Sequence, residues 1–270
     1  MLKSLKAFKL AVIMATDGEF GHVDQFLFDD EKWTIRYLVV KTKWLMGRRV
    51  LISPLAIDDT DVDMKFVQLS LTRREIETSP NIDVDQPISR KWEAQYHDYY
   101  RWPYYWMGTG AWGTASFPSQ MLGRPFPLPS ETSEDQEIIL EPSGDSHLRS
   151  VHVVEKYEIA ARDGGTFGHV YDFIVDDQSW EIRYLVVNTH RLWPGKSVLL
   201  SPDWVRWISW FDQEISIDLT QAKIKDAPEY TDDITIDREY EERLYDYYGR
   251  PNYWVKPTSF LSGERKKTMY

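Results

Sequence analysis

The stretch FGHVDQFLFDDEKWTIRYLVV at residues 20–40 returns in the second half of the chain as FGHVYDFIVDDQSWEIRYLVV, at residues 167–187. Between residues 18–42 and 165–189, 16 of 25 aligned positions are identical. The likeness continues, with one residue inserted in the second copy, to segments that end at Trp106 and Trp254. The chain therefore contains an internal duplication, and we expect each copy of roughly 100 residues to fold as a complete domain.

Each copy carries the pattern of a β-strand that follows a tight turn. In the first copy Trp33, Ile35, Tyr37 and Val39 alternate with the residues between them, which is the two-residue period of a strand. The motifs DDEK and DDQS before the two strands are typical of turns, so each copy is predicted to contain a hairpin. Further short apolar segments follow, such as RRVLIS and DMKFVQLSL. The predicted fold class is mainly β: two tandem small antiparallel β-barrels, each followed by a short α-helix.

The helix at the end of each copy is predicted from its cap and from its apolar spacing. Ser89 and Asp237 are typical N-cap residues, and large apolar residues follow at helical intervals. These positions are Trp92, Tyr96, Tyr99 and Tyr100 in the first copy, and Tyr240, Leu244, Tyr247 and Tyr248 in the second. Pro103 and Pro251 are expected to stop the two helices.

The repeat also predicts the domain boundaries. The first domain is predicted at residues 1–106 and the second at residues 149–256. Residues 107–148 are rich in Gly, Ser, Pro and Glu and show no periodicity, so they are predicted to be a linker, with an ordered piece near EIILEP left open. Residues 257–270 are assigned to a tail.

The composition excludes several classes of site and partner. The chain has 270 residues, no cysteine and a formal net charge of −11. Without cysteine there are no disulfides or thiolate nucleophiles, and a cytoplasmic location fits best. An acidic chain lacks the electrostatic attraction on which nucleic-acid binding depends, so no nucleic-acid partner is expected. No apolar run is long enough to span a membrane, although peripheral membrane contact stays open. The apolar patch at residues 10–14 is too short for a signal peptide and is predicted to be the first strand.

The first copy reads DG-x-x-GHV-x-x-F-x-x-DD-x-x-W-x-IRYLVV, and the second contains WPGKSVLLSP at residues 193–202 and REYEERLYDYYGRPNYW at residues 238–254. These runs resemble the PRC-barrel family, which is named for the cytoplasmic domain of the photosynthetic reaction-centre H subunit. Both copies match, so the resemblance covers most of the chain.

The resemblance implies a small, mostly six-stranded barrel whose recurring role is to hold another macromolecule. In the H subunit the barrel caps the membrane core and helps protons reach a quinone. In a ribosome-maturation factor it contacts a ribosomal protein. The membrane helix of the H subunit and the other domain of the maturation factor have no counterpart in this sequence. The tandem soluble type of the family is therefore the nearest match.

Two histidines, His22 and His169, occupy equivalent positions, with Asp24 and Asp172 close behind them. A histidine beside carboxylates could relay protons near neutral pH. The interpretation that we favour is that each imidazole holds a strand in place after a glycine. Neither copy adds a third ligand or a nucleophile at fixed spacing.

Two motifs imitate ligand sites without completing them. The acidic run at residues 58–63 lacks the glycine and the glutamate that a calcium loop needs, so a solvated turn is predicted. GTGAWG at residues 108–113 satisfies G-x-G-x-x-G without the strand and the helix of a dinucleotide fold. No cofactor and no metal site are therefore expected. The glycines interpreted as turn and bulge positions, where a side chain would not fit, are Gly18, Gly21, Gly165 and Gly168.

Aromatic residues, with 12 Trp and 16 Tyr, are the most suggestive feature. Tyr and Trp concentrate in interfaces because they combine a large apolar area with a polar group. The two helical stripes, with Trp106 and Trp254 behind them, are predicted to form an interface. We favour packing between the two barrels as an internal pseudo-dimer over an external partner site, and a homo-oligomer stays open. Under this hypothesis the two halves stay together after proteolysis within residues 125–144.

The sequence predicts that the protein is not an enzyme, because no nucleophile, base and orienting residue appear together in either copy. An enzyme acting in a cleft between the barrels is a minor alternative. The predicted function is non-catalytic protein binding or scaffolding, with an unknown protein partner. The alternative is an accessory role in photosynthetic or membrane electron transfer that delivers protons as the H subunit does.

Overall fold

The structure is a computed structural model that describes residues 1–42, 48–61, 65–82, 86–122, 147–189 and 195–255. The prediction of a mainly β chain is confirmed. The strands are β1 (Leu2–Ser4), β2 (Val12–Ala15), β3 (Gly18–Asp29), β4 (Thr34–Thr42), β5 (Arg49–Ile52), β6 (Ile57–Thr60), β7 (Phe66–Leu69), β8 (Leu148–Ser150), β9 (Glu158–Ala161), β10 (Thr166–Asp176), β11 (Ile182–Asn188), β12 (Ser197–Leu200), β13 (Val205–Ser209) and β14 (Glu214–Ile217). The helices are α1 (Leu5–Phe8), α2 (Arg73–Glu77), α3 (Arg90–Tyr100), α4 (Pro118–Leu122), α5 (Val151–Val154), α6 (Gln221–Lys225) and α7 (Arg238–Tyr248), with 3-10 turns at Pro54–Ala56 and Pro202–Trp204.

The strands form two seven-stranded sheets of the same design. One has the order β5-β4-β3-β2-β7-β6, and β8 pairs with β3; the other has the order β12-β11-β10-β9-β14-β13, and β1 pairs with β10. Along both paths neighbours are antiparallel except β2 with β7 and β9 with β14, which are parallel. The prediction of antiparallel barrels is thus corrected to mixed sheets. Among the described residues no ladder joins β5 to β6 or β12 to β13, so hydrogen bonds close neither sheet into a barrel.

The chain divides into two compact units that do not follow the repeat boundaries. The first unit contains Leu5–His152 and Asp176–Glu181, and the second contains Met1–Ser4, Val153–Val175 and Ile182–Tyr270. The leading strand of each repeat therefore belongs to the unit built on the other repeat: β1 pairs with β10, and β8 pairs with β3. The predicted domains at residues 1–106 and 149–256 differ from these units because local periodicity does not encode such an exchange.

Part of the predicted linker belongs to the first unit. Residues 107–122 include α4 and the side chains of Trp112 and Met121, which are both buried. Residues 123–146 of that linker, with EIILEP and the proposed cleavage region at residues 125–144, lie outside the described residues, as does the tail at residues 257–270. The last linker residue, Leu148, begins β8.

Both predicted hairpins are confirmed, since β3 pairs with β4 and β10 pairs with β11 in antiparallel register. Asp29 Oδ1 accepts hydrogen bonds from the backbone N–H groups two and three residues further on, both at 3.0 Å, and Asp176 makes the same turn in the second copy. Trp33 and Trp180 close the turns in the left-handed region, with φ of 49° and 59°. Both long strands carry bulges at equivalent positions, which bend them.

The helices α3 and α7 begin at the predicted caps. Ser89 Oγ accepts from the N–H group of Trp92 at 3.2 Å, and Asp237 Oδ1 accepts from that of Tyr240 at 2.8 Å. The Tyr96 hydroxyl donates to the Leu51 carbonyl at 2.9 Å, so α3 packs on the β4–β5 part of its own sheet. The core cluster there consists of Leu27, Tyr37, Val39, Leu51, Ile88, Tyr96 and Leu148.

Candidate functional site

A buried carboxylate cluster joins the end helix to the sheet in the first unit. It consists of Tyr37 on β4, Arg90 and Glu93 on α3, and Tyr105 in the segment after the helix. Glu93, only 2% exposed, accepts at Oε1 from the Tyr37 and Tyr105 hydroxyls at 3.1 and 2.5 Å. Its Oε2 accepts from Arg90 Nη1 at 2.8 Å. The carboxylate therefore ties strand, helix and following segment together.

The second unit contains an equivalent carboxylate cluster, formed by Tyr184, Arg238, Glu241 and Tyr253. Glu241 Oε1 accepts from the Tyr184 and Tyr253 hydroxyls at 2.8 and 2.9 Å. Its Oε2 lies 2.9 Å from Arg238 Nη1, but this arginine side chain is 51% exposed, against 19% for Arg90. The geometry is duplicated, whereas the ion pair is better shielded from water in the first unit.

A tryptophan covers the helix arginine in each cluster. The Arg90 guanidinium carbon lies 4.6 Å from the ring centroid of Trp106, and that of Arg238 lies 4.0 Å from the ring centroid of Trp254. A cation over the face of an indole ring is attracted by the ring quadrupole. Both tryptophans, which the sequence assigns to an interface, therefore also shield an ion pair of their own unit.

Burial controls protonation in the first cluster. It raises the pKa of Glu93, although Arg90 opposes that shift, and it raises the pKa of Tyr37 well above its usual range. Burial alone would lower the pKa of Arg90, but Tyr105 and Glu93 reverse this and raise it. The guanidinium stays charged and the tyrosines stay protonated as donors. Glu93 accepts from two tyrosines and one arginine that lie on a strand, a helix and the following segment, an arrangement that suits a structural clamp.

His97 on α3 lies beside the first cluster and is fully buried. Its Nδ1 is 2.8 Å from the Pro103 carbonyl, and its Nε2 is 3.4 Å from the Tyr37 hydroxyl. A carbonyl only accepts, so Nδ1 carries a proton. Burial lowers the pKa of His97 to about 3, and the charges of Arg36 and Arg90 add to this effect.

We expect His97 to make the first unit sensitive to acid. Below pH 6.5 the unfolded chain gains a proton that the folded chain does not take up until pH falls to about 3. In that window the free energy of unfolding falls by up to about 1.4 kcal/mol per pH unit. Between pH 7 and pH 5 the wild type should lose about 2 kcal/mol more than His97→Gln, measured by urea denaturation. Glu93, with its raised pKa, acts in the opposite direction in both proteins, so equal losses would contradict the role given to His97.

Arg36 holds the glycine-rich loop at residues 108–113, and this described segment is not part of a dinucleotide-binding fold. Arg36 Nη1 donates to the Ala111 carbonyl at 2.6 Å, and its Nη2 lies 3.0 Å from Asp29 Oδ2. The guanidinium carbon is 3.9 Å from the ring centroid of Tyr105. Turn residues precede the loop, and the next helix, α4, begins only at Pro118. The flanking elements of a dinucleotide site are therefore absent from this described segment.

The predicted interface residues pack first on their own units. Three of the ten, Tyr96, Leu244 and Tyr248, are only 1, 1 and 5% exposed. Tyr96 meets Tyr37 at 5.5 Å between ring centroids. Tyr99 is 40% exposed, and its hydroxyl donates to the Glu75 carbonyl at 3.0 Å. The remaining six, Trp92, Tyr100, Trp106, Tyr240, Tyr247 and Trp254, are partly exposed. An interface formed by them stays a prediction.

His22 and His169 lie at equivalent positions of β3 and β10, in register with both neighbouring strands. The buried Asp172 accepts from the Ser4 hydroxyl and, at 2.7 Å, from the backbone N–H group of Phe173. It thus fastens β1 to β10 in the second unit. A proton relay through the two histidines stays a prediction.

An open groove of about 590 Å³ lies in the first unit. Its walls come from β6 with the preceding 3-10 turn, from α4, and from the turn at residues 177–180. The apolar part of its lining includes Leu55, Ile57, Phe117, Leu122 and Trp180, and the acidic part consists of Asp58, Asp59 and Asp177. Asp58 and Asp59, which the sequence places in a solvated turn, thus lie on β6 and form part of one wall of a larger concave surface.

In the described part of the chain, no group of three His, Cys, Asp or Glu side chains is placed to hold a metal ion. Within the same residues, no helix has the length and apolarity needed to cross a bilayer.

No family model matches the chain, and no curated protein matches it significantly. The resemblance to the PRC-barrel family rests on the motifs quoted above.

Sequence reasoning missed the two carboxylate clusters. The signal was available: Arg90 and Glu93 in RKWE recur as Arg238 and Glu241 in REYE. A charged pair three residues apart on a helix is normally a solvated surface pair, and nothing local shows that it is buried. The signal that could have indicated the clusters is that this charged pair recurs in both copies together with the tyrosine of IRYLVV.

Proposed function

We propose that the chain is a non-catalytic protein-binding or scaffold protein built from two PRC-barrel-like domains. The observation that carries this proposal is that the two units share their buried polar groups but differ in surface charge. Both keep a carboxylate cluster, whereas the exposed β6 residues Asp58 and Asp59 align with Arg206 and Trp207 of β13.

The chemistry of the shared groups supports a structural role for them. Each cluster carboxylate accepts hydrogen bonds from two tyrosines and contacts one arginine, all from its own unit. Buried groups that are fully paired in this way specify a fold and stabilise it. Recognition would then depend on the surface, where the two copies have diverged.

The sheet design supports the PRC-barrel-like part of the proposal. Each path has six strands, to which a seventh is added from outside the repeat, and a helix follows the last strands. Six strands are what the resemblance implies for one family domain, and the helix is the one predicted from its cap and its apolar spacing.

Affinity capture tests the proposal. We expect the chain, used as bait in an extract of its source organism at low salt, to retain one protein in near-stoichiometric amount. That protein should bind the purified chain directly, with a dissociation constant in the micromolar range or tighter, in isothermal titration calorimetry. An acid-unfolded bait is the control for non-specific retention. If the folded bait retains nothing beyond this control, the proposal is wrong.

A further inference from the structure

We propose that the groove of the first unit binds a cationic peptide segment of the partner protein, in which Lys or Arg alternates with apolar side chains. This inference rests on the protein-binding function proposed above and names the chemistry of the partner.

The charge of the groove selects a cation. Asp58 and Asp59 are exposed on β6, and Asp177 contributes from the facing turn. No lysine or arginine is among the described residues that line the groove. A cleft lined by one sign of charge focuses the potential and concentrates ligands of the opposite sign.

The apolar lining selects a peptide over a hydrated ion. Leu122 is 50% exposed at the end of α4, and Phe117 before that helix is partly exposed. Leu55 and Trp180 are buried and also line the groove. A volume of about 590 Å³ lies in the usual range of ligand pockets. A groove with carboxylates beside apolar side chains is complementary to a peptide in which Lys or Arg alternates with apolar residues.

The charge of the neighbouring linker disfavours it as the occupant. Residues 123–146, which follow α4 directly, contain six acidic residues and one basic residue. Like charges would repel this segment from Asp58, Asp59 and Asp177. A separate cationic chain meets no such penalty.

The second unit supplies an internal comparison. At the positions of Asp58 and Asp59 it has Arg206 and Trp207, which remove two carboxylates and add a cation. The proposal therefore predicts one peptide bound per chain rather than two.

The test is fluorescence anisotropy with the full chain and a dye-labelled decapeptide of alternating lysine and leucine. We expect one-to-one binding that weakens as salt rises from 50 to 500 mM. A lysine–serine decapeptide should bind several-fold more weakly, and a glutamate–leucine decapeptide should not bind. If spermine displaces the probe as well as unlabelled peptide does, the occupant is a small polycation, and the assignment to a peptide is overturned.

Matched variants locate the site. D58N/D59N should weaken binding about tenfold, because two exposed ion pairs with the peptide are lost. L122S, which alters an exposed helix end, should weaken it several-fold without changing charge. The control E229Q/D232N changes two exposed carboxylates of the second unit and should bind as the wild type does. Equal weakening by the control, or wild-type affinity in both groove variants, would overturn the proposal.

The captured partner separates the two proposals. If it binds D58N/D59N and L122S as tightly as the wild type, the groove is not its site, while the protein-binding function stands. If no partner is captured, the function itself fails.

Discussion

Glu93→Ala should lower the free energy of unfolding of the first unit by about 3–5 kcal/mol. The substitution leaves the Arg90 charge and the Tyr37 and Tyr105 hydroxyls without their shared acceptor. Removing one partner of a buried ion pair is costly because the other charge stays desolvated. Urea denaturation gives the free energy, and hydrogen exchange of the β4 amides assigns the loss to the first unit.

Two matched variants test the reason. Glu93→Gln should cost about 1–2 kcal/mol, less than Glu93→Ala, because the amide oxygen still accepts hydrogen bonds from the two tyrosine hydroxyls. Glu241→Ala should cost less than Glu93→Ala, since Arg238 is half exposed and water can solvate it. Equal losses for Glu93→Ala and Glu241→Ala would show that shielding of the arginine does not matter.

Alanine at Gly21 or Gly168 should cost about 3 kcal/mol, at the upper end of the range for overpacked sites. A Cβ atom at Gly21 would lie 2.4 Å from the Lys41 carbonyl oxygen, and one at Gly168 would lie 2.1 Å from that of Asn188. Both oxygens belong to the backbone of the paired strand, so the hairpin itself would have to separate. Thermal unfolding of both variants measures this.

Gly164→Ala is the control for the glycine variants. Gly164 has a φ of +92°, but a Cβ atom there would meet nothing within 4 Å. Only backbone strain applies, which costs about 1–2 kcal/mol. If Gly21→Ala destabilises no more than Gly164→Ala, the close approach of the two strands is not rigid.

Local features of the fold could be predicted from the sequence. The hairpins depend on Asp29 and Asp176, whose side chains bond within three residues, and the helix starts depend on Ser89 and Asp237 in the same way. Such interactions are complete inside one motif, so a motif is enough to find them.

Long-range features could not be predicted. The parallel pairing of β2 with β7 joins two central strands that are separated in sequence by β3 to β6. A two-residue period shows that a segment is a strand, but it does not show which distant strand is its neighbour. The exchanged strands β1 and β8 have three residues each, and a strand of three residues is too short to show a two-residue period.

The candidate sites also combine local features, which the sequence shows, with long-range features, which it does not. Asp58 and Asp59 are visible in the sequence as an acidic run, but the groove needs Phe117 and Asp177 from distant segments. The aromatic stripes could be predicted as helix faces. Their burial against Tyr37 and Trp204 depends on the sheet behind them.

The exchange of leading strands governs the order in which the chain can finish folding on the ribosome. Ser4, at the end of β1, meets its partner Asp172 only after 168 further residues have been added, which takes roughly 10–30 s at common synthesis rates. β3 likewise waits for β8, and in the interval its edge is an unpaired template for other strands. Slow translation therefore prolongs the period in which the β3 edge is exposed. A crowded ribosome array raises the chance that two nascent chains pair with each other during that period.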